Sequence, residues 1–174
     1  MKVLIIVAQE NYQDHEYMVP KMILEKEGIE TITASKQKGI CQGSLGGSTE
    51  AELSLSEVNI EEYIAIIFVG GSGAIRYQQD GEVNKIIQNC IEKNKILAAI
   101  CIAPTILAYS GILQGKKATV WNNDNQQSKL LEEKGVQYTN EDVTVDGKII
   151  TANGPHAAEQ FGKTILKLLK KSRP

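Results

Sequence analysis

The sequence is poor in cysteine and histidine, with three cysteines and two histidines in a chain of 174 residues. An odd and small number of cysteines does not build a disulfide framework, and it indicates a reducing, cytoplasmic setting. Histidine, cysteine, aspartate and glutamate nowhere recur at the spacing of metal ligands. We therefore predict a protein that works without a metal ion or another cofactor.

The sequence also lacks a large excess of positive or negative charge, and it lacks long apolar runs. The formal net charge is −2, so no basic surface for nucleic acid is predicted. No apolar run approaches the roughly 18 residues of a membrane helix. The apolar start, residues 1–8, passes at once into polar residues, as in a strand rather than a signal peptide. With 42% hydrophobic and 23% charged residues, we predict one soluble domain over residues 1–174.

What the sequence does contain is a regular alternation of apolar strands and amphipathic helices. Continuous apolar segments are typical of parallel strands that are covered on both faces. We predict strands at Lys2–Ala8, Ile29–Ala34, Tyr63–Val69, Ile96–Ile100 and Lys117–Trp121, short irregular strands or a hairpin within residues 36–58, and a hairpin around Asp146-Gly147. Helices are predicted at Asp14–Lys26 (kinked or restarted at Pro20), Glu82–Asn94, Gln126–Lys134 and after Asn153. This order predicts an α/β fold, with an open, mainly parallel sheet between two layers of helices.

Three loops that leave the carboxyl ends of predicted strands carry reactive or glycine-rich segments. They are Gln13–Glu16, Gly70–Gly73 and the turn at Cys101. In a doubly wound sheet such loops converge beyond the strand ends, near a topological switch point, where ligands bind. The sequence therefore predicts one site built from these three loops.

Cys101 is the strongest signal in that site. It closes the apolar strand Ile96–Ile100 and is followed by a proline and a helical pattern. A cysteine at a sharp strand-to-helix corner is typical of a nucleophile elbow. The other two cysteines differ, since Cys90 falls on the apolar stripe of its helix and Cys41 in a loop region where we expect exposure.

The glycines next to this corner allow two interpretations. Gly70 and Gly71 could bring a backbone N–H close to a bound oxygen, and the N–H of Ile102 would be the second donor of an oxyanion hole. They could equally form a tight strand-to-helix turn. A phosphate-binding loop is disfavoured, because no Lys-Ser/Thr pair follows the glycines.

A helix start alone does not ionise the Cys101 thiol at neutral pH. A helix amino terminus contributes about 0.3–1 kcal/mol, which lowers a thiol pKa from ~8.5 to about 7.5. Burial acts in the opposite direction. Glu16 can assist as a protonated acid that donates a hydrogen bond to the thiolate, provided that burial raises its own pKa.

Taken together, these residues resemble the ThiJ/PfpI superfamily. The resemblance covers nearly the whole chain and includes Glu16–Pro20, the Gly-Gly after the third long strand, Ala98–Cys101 with Pro104, and Asn153–Pro155. It implies a flavodoxin-like three-layer sandwich that is usually dimeric or a higher homo-oligomer. It also implies Cys101 as nucleophile or oxidation-sensitive thiol, Glu16 as its protonated partner, and Gly71 and Ile102 as oxyanion donors.

The sequence departs from the superfamily at two histidines. Peptidase-like members have a histidine directly after the elbow cysteine, where this chain has Ile102, and deglycase-like members have one where Trp121 stands. The Trp121 side chain is expected either to pack in the core or to form a wall of the pocket. His156, at the start of the last helix, lies where related glutamine amidotransferases place their catalytic histidine, so it is a candidate catalytic residue, with a capping or surface role as the alternative. His15 is a weaker candidate for the pocket.

Three functions remain open from the sequence. The first is a cofactor-independent thiol enzyme, glyoxalase- or deglycase-like, that acts on small 2-oxoaldehydes or their adducts. The second is a redox-sensing or chaperone-like protein of oxidative stress, in which Cys101 is oxidised to sulfinic acid. The third is a cysteine amidase or peptidase, which requires a histidine base near Cys101. In each case the partner is a small aldehyde or amide substrate or a second copy of the chain, and neither nucleic acid nor a membrane.

Overall fold

The computed structural model describes residues 1–172; the last two residues of the predicted domain, 173 and 174, lie outside them. The strands are β1 (Lys2–Ile6), β2 (Glu10–Tyr12), β3 (Glu30–Ser35), β4 (Gly39–Gly43), β5 (Ser48–Ala51), β6 (Leu53–Ser54), β7 (Ala65–Phe68), β8 (Ile96–Ile100), β9 (Lys117–Ala118), β10 (Gln137–Tyr138), β11 (Val143–Asp146) and β12 (Ile149–Ala152). The α-helices are α1 (Asp14–Lys26), α2 (Gly81–Glu92), α3 (Pro104–Tyr109), α4 (Gln127–Glu133) and α5 (Ala158–Lys171).

A central sheet of seven strands organises the molecule. Its order is β11-β12-β8-β7-β1-β3-β6, and only the edge pair β11–β12 is antiparallel. Strands β7 and β8, in the middle, are buried along their whole length, as their continuous apolar sequences require. The predicted α/β fold with a mainly parallel sheet is confirmed.

Two separate cores cover the two faces of this sheet. On one face α1 and α5 pack against each other and against the strands, with Leu24, Phe161 and Ile165 in the core. On the other face α2, α3 and α4 contribute Ile87, Ile106 and similar residues. The result is the expected three-layer sandwich of helices, sheet and helices.

The topology places the functional loops together. From β1 the chain first runs outward to β3 and β6, then returns to β7 on the other side of β1 and continues to β8 and β12. The switch point therefore lies between β1 and β7, and the carboxyl ends of β1, β7 and β8 open on the same edge of the sheet. Among residues 1–172, no helix has both the length and the apolar composition to cross a membrane.

Some predicted elements differ from the observed ones. The strand expected at Lys117–Trp121 ends at Ala118, because Thr119 N–H donates to the Thr151 hydroxyl oxygen and Trp121 N–H to the Cys101 carbonyl instead of continuing the β9–β10 ladder. Helix α1 is continuous through Pro20, so the predicted restart is wrong. The hairpins β4–β5 and β11–β12 are present as predicted.

Candidate active site

Cys101 lies at the carboxyl end of β8 in a strained backbone conformation. Its φ is +64°, a region that residues with a side chain rarely adopt. The surrounding chain holds it there: Cys101 N–H donates to the Ala152 carbonyl and its own carbonyl accepts from Trp121 N–H, both at 2.8 Å. Helix α3 follows at Pro104. Such strain at a sharp strand-to-helix turn has the geometry of a nucleophile elbow.

Glu16 is buried completely and lies next to Cys101. It is the third residue of α1, where its N–H donates to the side-chain oxygen of the N-cap residue Gln13 at 2.9 Å. Its Oε2 accepts a hydrogen bond from Gly70 N–H at 2.9 Å, whereas Oε1 has no hydrogen-bond partner within the described residues. Burial raises the pKa of Glu16 to about 7, although contacts with the Cys101 thiol and the Gly70 N–H act to lower it.

Gly70 separates the acid from the thiol, and only a glycine fits there. A Cβ at this position would lie 2.5 Å from Glu16 Oε2, 2.7 Å from Cys101 Cβ and 2.8 Å from the Ile100 carbonyl oxygen. The carboxyl and the cysteine side chain are therefore immediate neighbours around the Gly70 backbone. The sequence interpretation of Gly70 as a close approach, rather than a turn residue, agrees with this geometry.

Two backbone N–H groups act on the Cys101 thiol. They belong to Gly71 and Ile102, and both lower the pKa of the thiol by hydrogen bonding to it. Gly71 has a φ of +97°, and a side chain there would collide with the backbone of Asn11 and Gln13. They are the two donors that the sequence predicted for an oxyanion hole, and that role stays a prediction.

The thiol is nevertheless hard to ionise. Burial, and then the neighbouring charge of Glu16, raise the pKa of Cys101 above its ordinary value and outweigh the two N–H donors. Burial thus opposes any lowering of this pKa by the helix start, in the direction that the sequence predicted. Because Glu16 ionises first, near neutral pH the site contains a thiol beside an acid that is partly carboxylate. A carboxylate in this place can accept the thiol proton as the sulfur attacks.

Neither histidine belongs to this cluster. His156 is exposed, and its Nε2 lies 3.2 Å from Asp142 Oδ1. His15 is exposed on α1, and its imidazole forms no hydrogen bond or ion pair with another residue in the described part of the chain. In the described part of the chain, neither imidazole hydrogen-bonds to Cys101 or Glu16. The catalytic role that the sequence suggested for His156 remains a prediction without a supporting contact.

A cleft lies beside the elbow, and the sequence analysis missed most of it. Its volume is about 360 Å³, and Trp121, Tyr138, Asn153 and His156 are among its lining residues. Trp121 is half-buried and forms part of the wall, so both sequence interpretations of it apply. The available signal was the polar run 122–125, rich in asparagine, directly after the predicted strand Lys117–Trp121.

The sequence interpretation of Cys41 needs correction, because Cys41 is fully buried in β4 rather than exposed. The oxygens of Asp14 accept from Leu45 and Gly47 N–H at 2.8 Å and so fix the β4–β5 hairpin to the start of α1, while Gln13 is the N-cap of that helix. Within residues 1–172, no group of three or more His, Cys, Asp or Glu side chains could hold a metal ion.

Comparison with known proteins extends this description. The DJ-1/PfpI family matches residues 1–168. An uncharacterized protein of Methanocaldococcus jannaschii is 36% identical over 98% of this chain and 83% of its own, and the protein named deglycase PfpI of Pyrococcus furiosus is 31% identical over 98% and 100%. A Caenorhabditis elegans protein named glutathione-independent glyoxalase is 22% identical over 96% and 88%. The crystal structure of a ThiJ/PfpI domain protein from Brachyspira murdochii superposes with a TM-score of 0.94 at 31% identity, covering 99% and 98% of the two chains.

Proposed function

The chain belongs to the DJ-1/PfpI family, and we propose that it is a cofactor-independent thiol enzyme for small 2-oxoaldehydes or their adducts. The observation that supports the proposal is the isolated pair of Cys101 and Glu16, with the N–H groups of Gly71 and Ile102 at the sulfur. Relatives named deglycase and glyoxalase support the reaction class.

The first step is addition of the thiol to the aldehyde carbon. As the carbon–sulfur bond forms, the Glu16 carboxylate takes the thiol proton, so a free thiolate does not need to accumulate. The negative charge then moves from sulfur to the former aldehyde oxygen. The N–H groups of Gly71 and Ile102, which lower the pKa of the thiol, stabilise the charge at both stages.

The remaining steps rearrange the adduct without an external oxidant. Once protonated, Glu16 returns its proton to the oxygen and yields a hemithioacetal. The proton on the former aldehyde carbon then moves to the neighbouring ketone carbon through an enediol, with Glu16 as carrier, so one carbon is oxidised while the other is reduced. Water cleaves the resulting thioester, which releases a 2-hydroxy acid and restores the thiol. A carboxyl with a pKa of about 7 is suited to both accepting and donating protons at neutral pH.

Product formation tests this proposal. Wild-type protein is expected to convert methylglyoxal to lactate, and Cys101→Ala and Glu16→Gln are each expected to lose at least about a hundredfold in kcat/KM. Cys41→Ala and Glu50→Gln, which alter the same residue types outside the site, serve as controls at wild-type rate. Equal, negligible lactate formation by wild type and both site variants would contradict the proposal.

A second candidate function has its own supporting observation. Cys101 is the partly exposed cysteine, whereas Cys41 and Cys90 are buried. The unpartnered Glu16 Oε1 could hydrogen-bond a sulfinic acid formed on Cys101. Mass spectrometry after mild peroxide treatment should find Cys101 oxidised before the other two. Oxidation of Cys41 or Cys90 first would exclude this sensor role.

We further propose that the chain forms a single domain that works as a cytoplasmic homodimer. The match over residues 1–168 supports one domain. Met18 and Met22, one turn apart on α1, are 49% and 61% exposed, which suits a subunit contact. Light scattering on a sizing column should give twice the chain mass, and Met18→Lys with Met22→Lys should reduce it to the monomer.

A further inference from the structure

The cleft beside the elbow is attached directly to the peptide of Cys101. The Cys101 N–H donates to Ala152, the residue before Asn153, and the Cys101 carbonyl accepts from Trp121. Asn153 and Trp121 both line the cleft. Two segments that line the cleft are therefore hydrogen-bonded to the peptide of the residue that carries the thiol.

The composition of the cleft is unusual for a simple surface groove. Aromatic side chains at Trp121 and Tyr138 stand among asparagines at positions 122, 123, 125, 140 and 153, and none of the lining residues is lysine, arginine, aspartate or glutamate. Asparagine offers both a donor and an acceptor, which matches a hydroxyl group that needs both. A cleft without a fixed charge in its lining favours a neutral polyol over a phosphate or a carboxylate ligand.

Two observations show that the polar groups are prepared for a ligand. Asn153 Oδ1 is buried and has no hydrogen-bond partner among residues 1–172. Its Nδ2 donates to Asp142 Oδ1 at 3.2 Å, and the same carboxylate oxygen lies 3.2 Å from His156 Nε2. Asp142 thus orients two lining side chains at once. A buried acceptor without a partner costs free energy unless a bound donor forms a hydrogen bond to it.

We propose that this cleft binds the hydroxylated tail of the substrate, and that the preferred substrates are sugar-derived 2-oxoaldehydes rather than methylglyoxal. The inference rests on the proposed function for the reacting end of the molecule and adds the substrate class. The volume of about 360 Å³ corresponds to about a dozen water molecules, which is enough for a six-carbon chain. The indole face of Trp121 packs against the C–H groups of the tail, and Asn153 and His156 hydrogen-bond its hydroxyls.

Substrate preference gives the first test. Wild-type kcat/KM is compared for methylglyoxal and for 3-deoxyglucosone, which has the same reacting end and a hydroxylated tail. We expect 3-deoxyglucosone to be favoured, and His156→Ala to reduce the ratio of the two values by about fivefold, the effect of one hydrogen bond. His15→Ala removes the other exposed histidine and should leave the ratio unchanged. An equal ratio in wild type and His156→Ala would overturn the proposal.

Binding gives a test that does not depend on turnover. Trp121 is the single tryptophan of the chain, so its fluorescence reports the cleft directly. In Cys101→Ala protein, 3-deoxy-D-gluconate should change this fluorescence in a saturable way, and lactate, which lacks the tail, should not at the same concentrations. No response to 3-deoxy-D-gluconate, or an equal response to lactate, would overturn the proposal. If the protein bound 3-deoxy-D-gluconate but produced no 2-hydroxy acid from either aldehyde, the proposed function would fail while the cleft assignment stood.

Discussion

The Glu16 carboxyl and the Cys101 side chain are neighbours around the backbone of Gly70, and burial raises the pKa of that carboxyl to about 7. The acid, rather than a histidine, is thus the ionisable group in contact with the thiol. Because its pKa lies near neutral pH while the thiol pKa is raised, Glu16 changes charge state first. This order of ionisation has consequences for stability as well as for activity.

The first prediction concerns stability against pH. The folded protein keeps a proton on Glu16 that the unfolded chain, with the ordinary pKa of 4.5, releases. Stability is therefore lost as the pH rises from about 4.5 to above 7, by about 3 kcal/mol at most from this group. Glu16→Gln removes the effect, so the variant should gain about 1–3 kcal/mol relative to wild type at pH 8 and little at pH 4.5.

Urea unfolding at the two pH values measures this difference. Exposed carboxylates whose pKa values are lowered, such as Glu57 beside Lys38, contribute the opposite trend in both proteins and cancel in the comparison. Glu50→Gln, at an exposed position on β5, is the matched control and should follow wild type. Parallel stability curves for Glu16→Gln and wild type would mean that Glu16 is not held protonated by burial.

The second prediction concerns the space around Gly70. Gly70→Ala places a methyl group against Glu16 Oε2 and Cys101 Cβ, so the pair must separate. We expect a loss of about 1–3 kcal/mol in stability, typical of overpacking, together with loss of lactate formation. Gly81→Ala, at the start of α2, meets no atom within 4 Å and should keep stability and activity. Normal turnover by Gly70→Ala would show that the close approach is dispensable.

The third prediction concerns thiol reactivity. Burial raises the pKa of all three thiols, so exposure is what distinguishes them: Cys101 is partly exposed, whereas Cys41 and Cys90 are fully buried. Iodoacetamide at pH 8 should modify Cys101 alone in folded protein, and all three cysteines after denaturation. Peptide mapping measures this, with Cys101→Ala as the blank. Labelling of Cys41 at a comparable rate would indicate that the β4–β5 hairpin opens readily.

The sequence predicted the elements whose physical signal is local. Fully apolar strands such as Ile96–Ile100, the Asp146-Gly147 turn and the amphipathic repeat of α5 are encoded within each segment, and the structure confirms them. The convergence of Glu16, Gly70 and Cys101 followed from strand order, because parallel strands end at one edge of the sheet.

Features that depend on contacts far along the chain were not predictable in the same way. The strand at Lys117 ends early because Thr119 and Trp121 bond to Thr151 and Cys101, which no local pattern reveals. The sequence predicted that burial opposes the helix start at Cys101, but how far burial raises the thiol pKa depends on the whole packed fold. The Asp142–His156 contact likewise joins two segments through the β11–β12 hairpin.

The most direct test of the account is the pH dependence of kcat/KM for methylglyoxal in wild type and Glu16→Gln. If the carboxylate of Glu16 accepts the thiol proton, wild-type kcat/KM should rise with pH through an inflection near 7. In Glu16→Gln the residual activity should be at least about a hundredfold lower and should show no inflection there. An inflection near pH 7 that persists in Glu16→Gln would contradict the central role assigned to the Glu16–Cys101 pair.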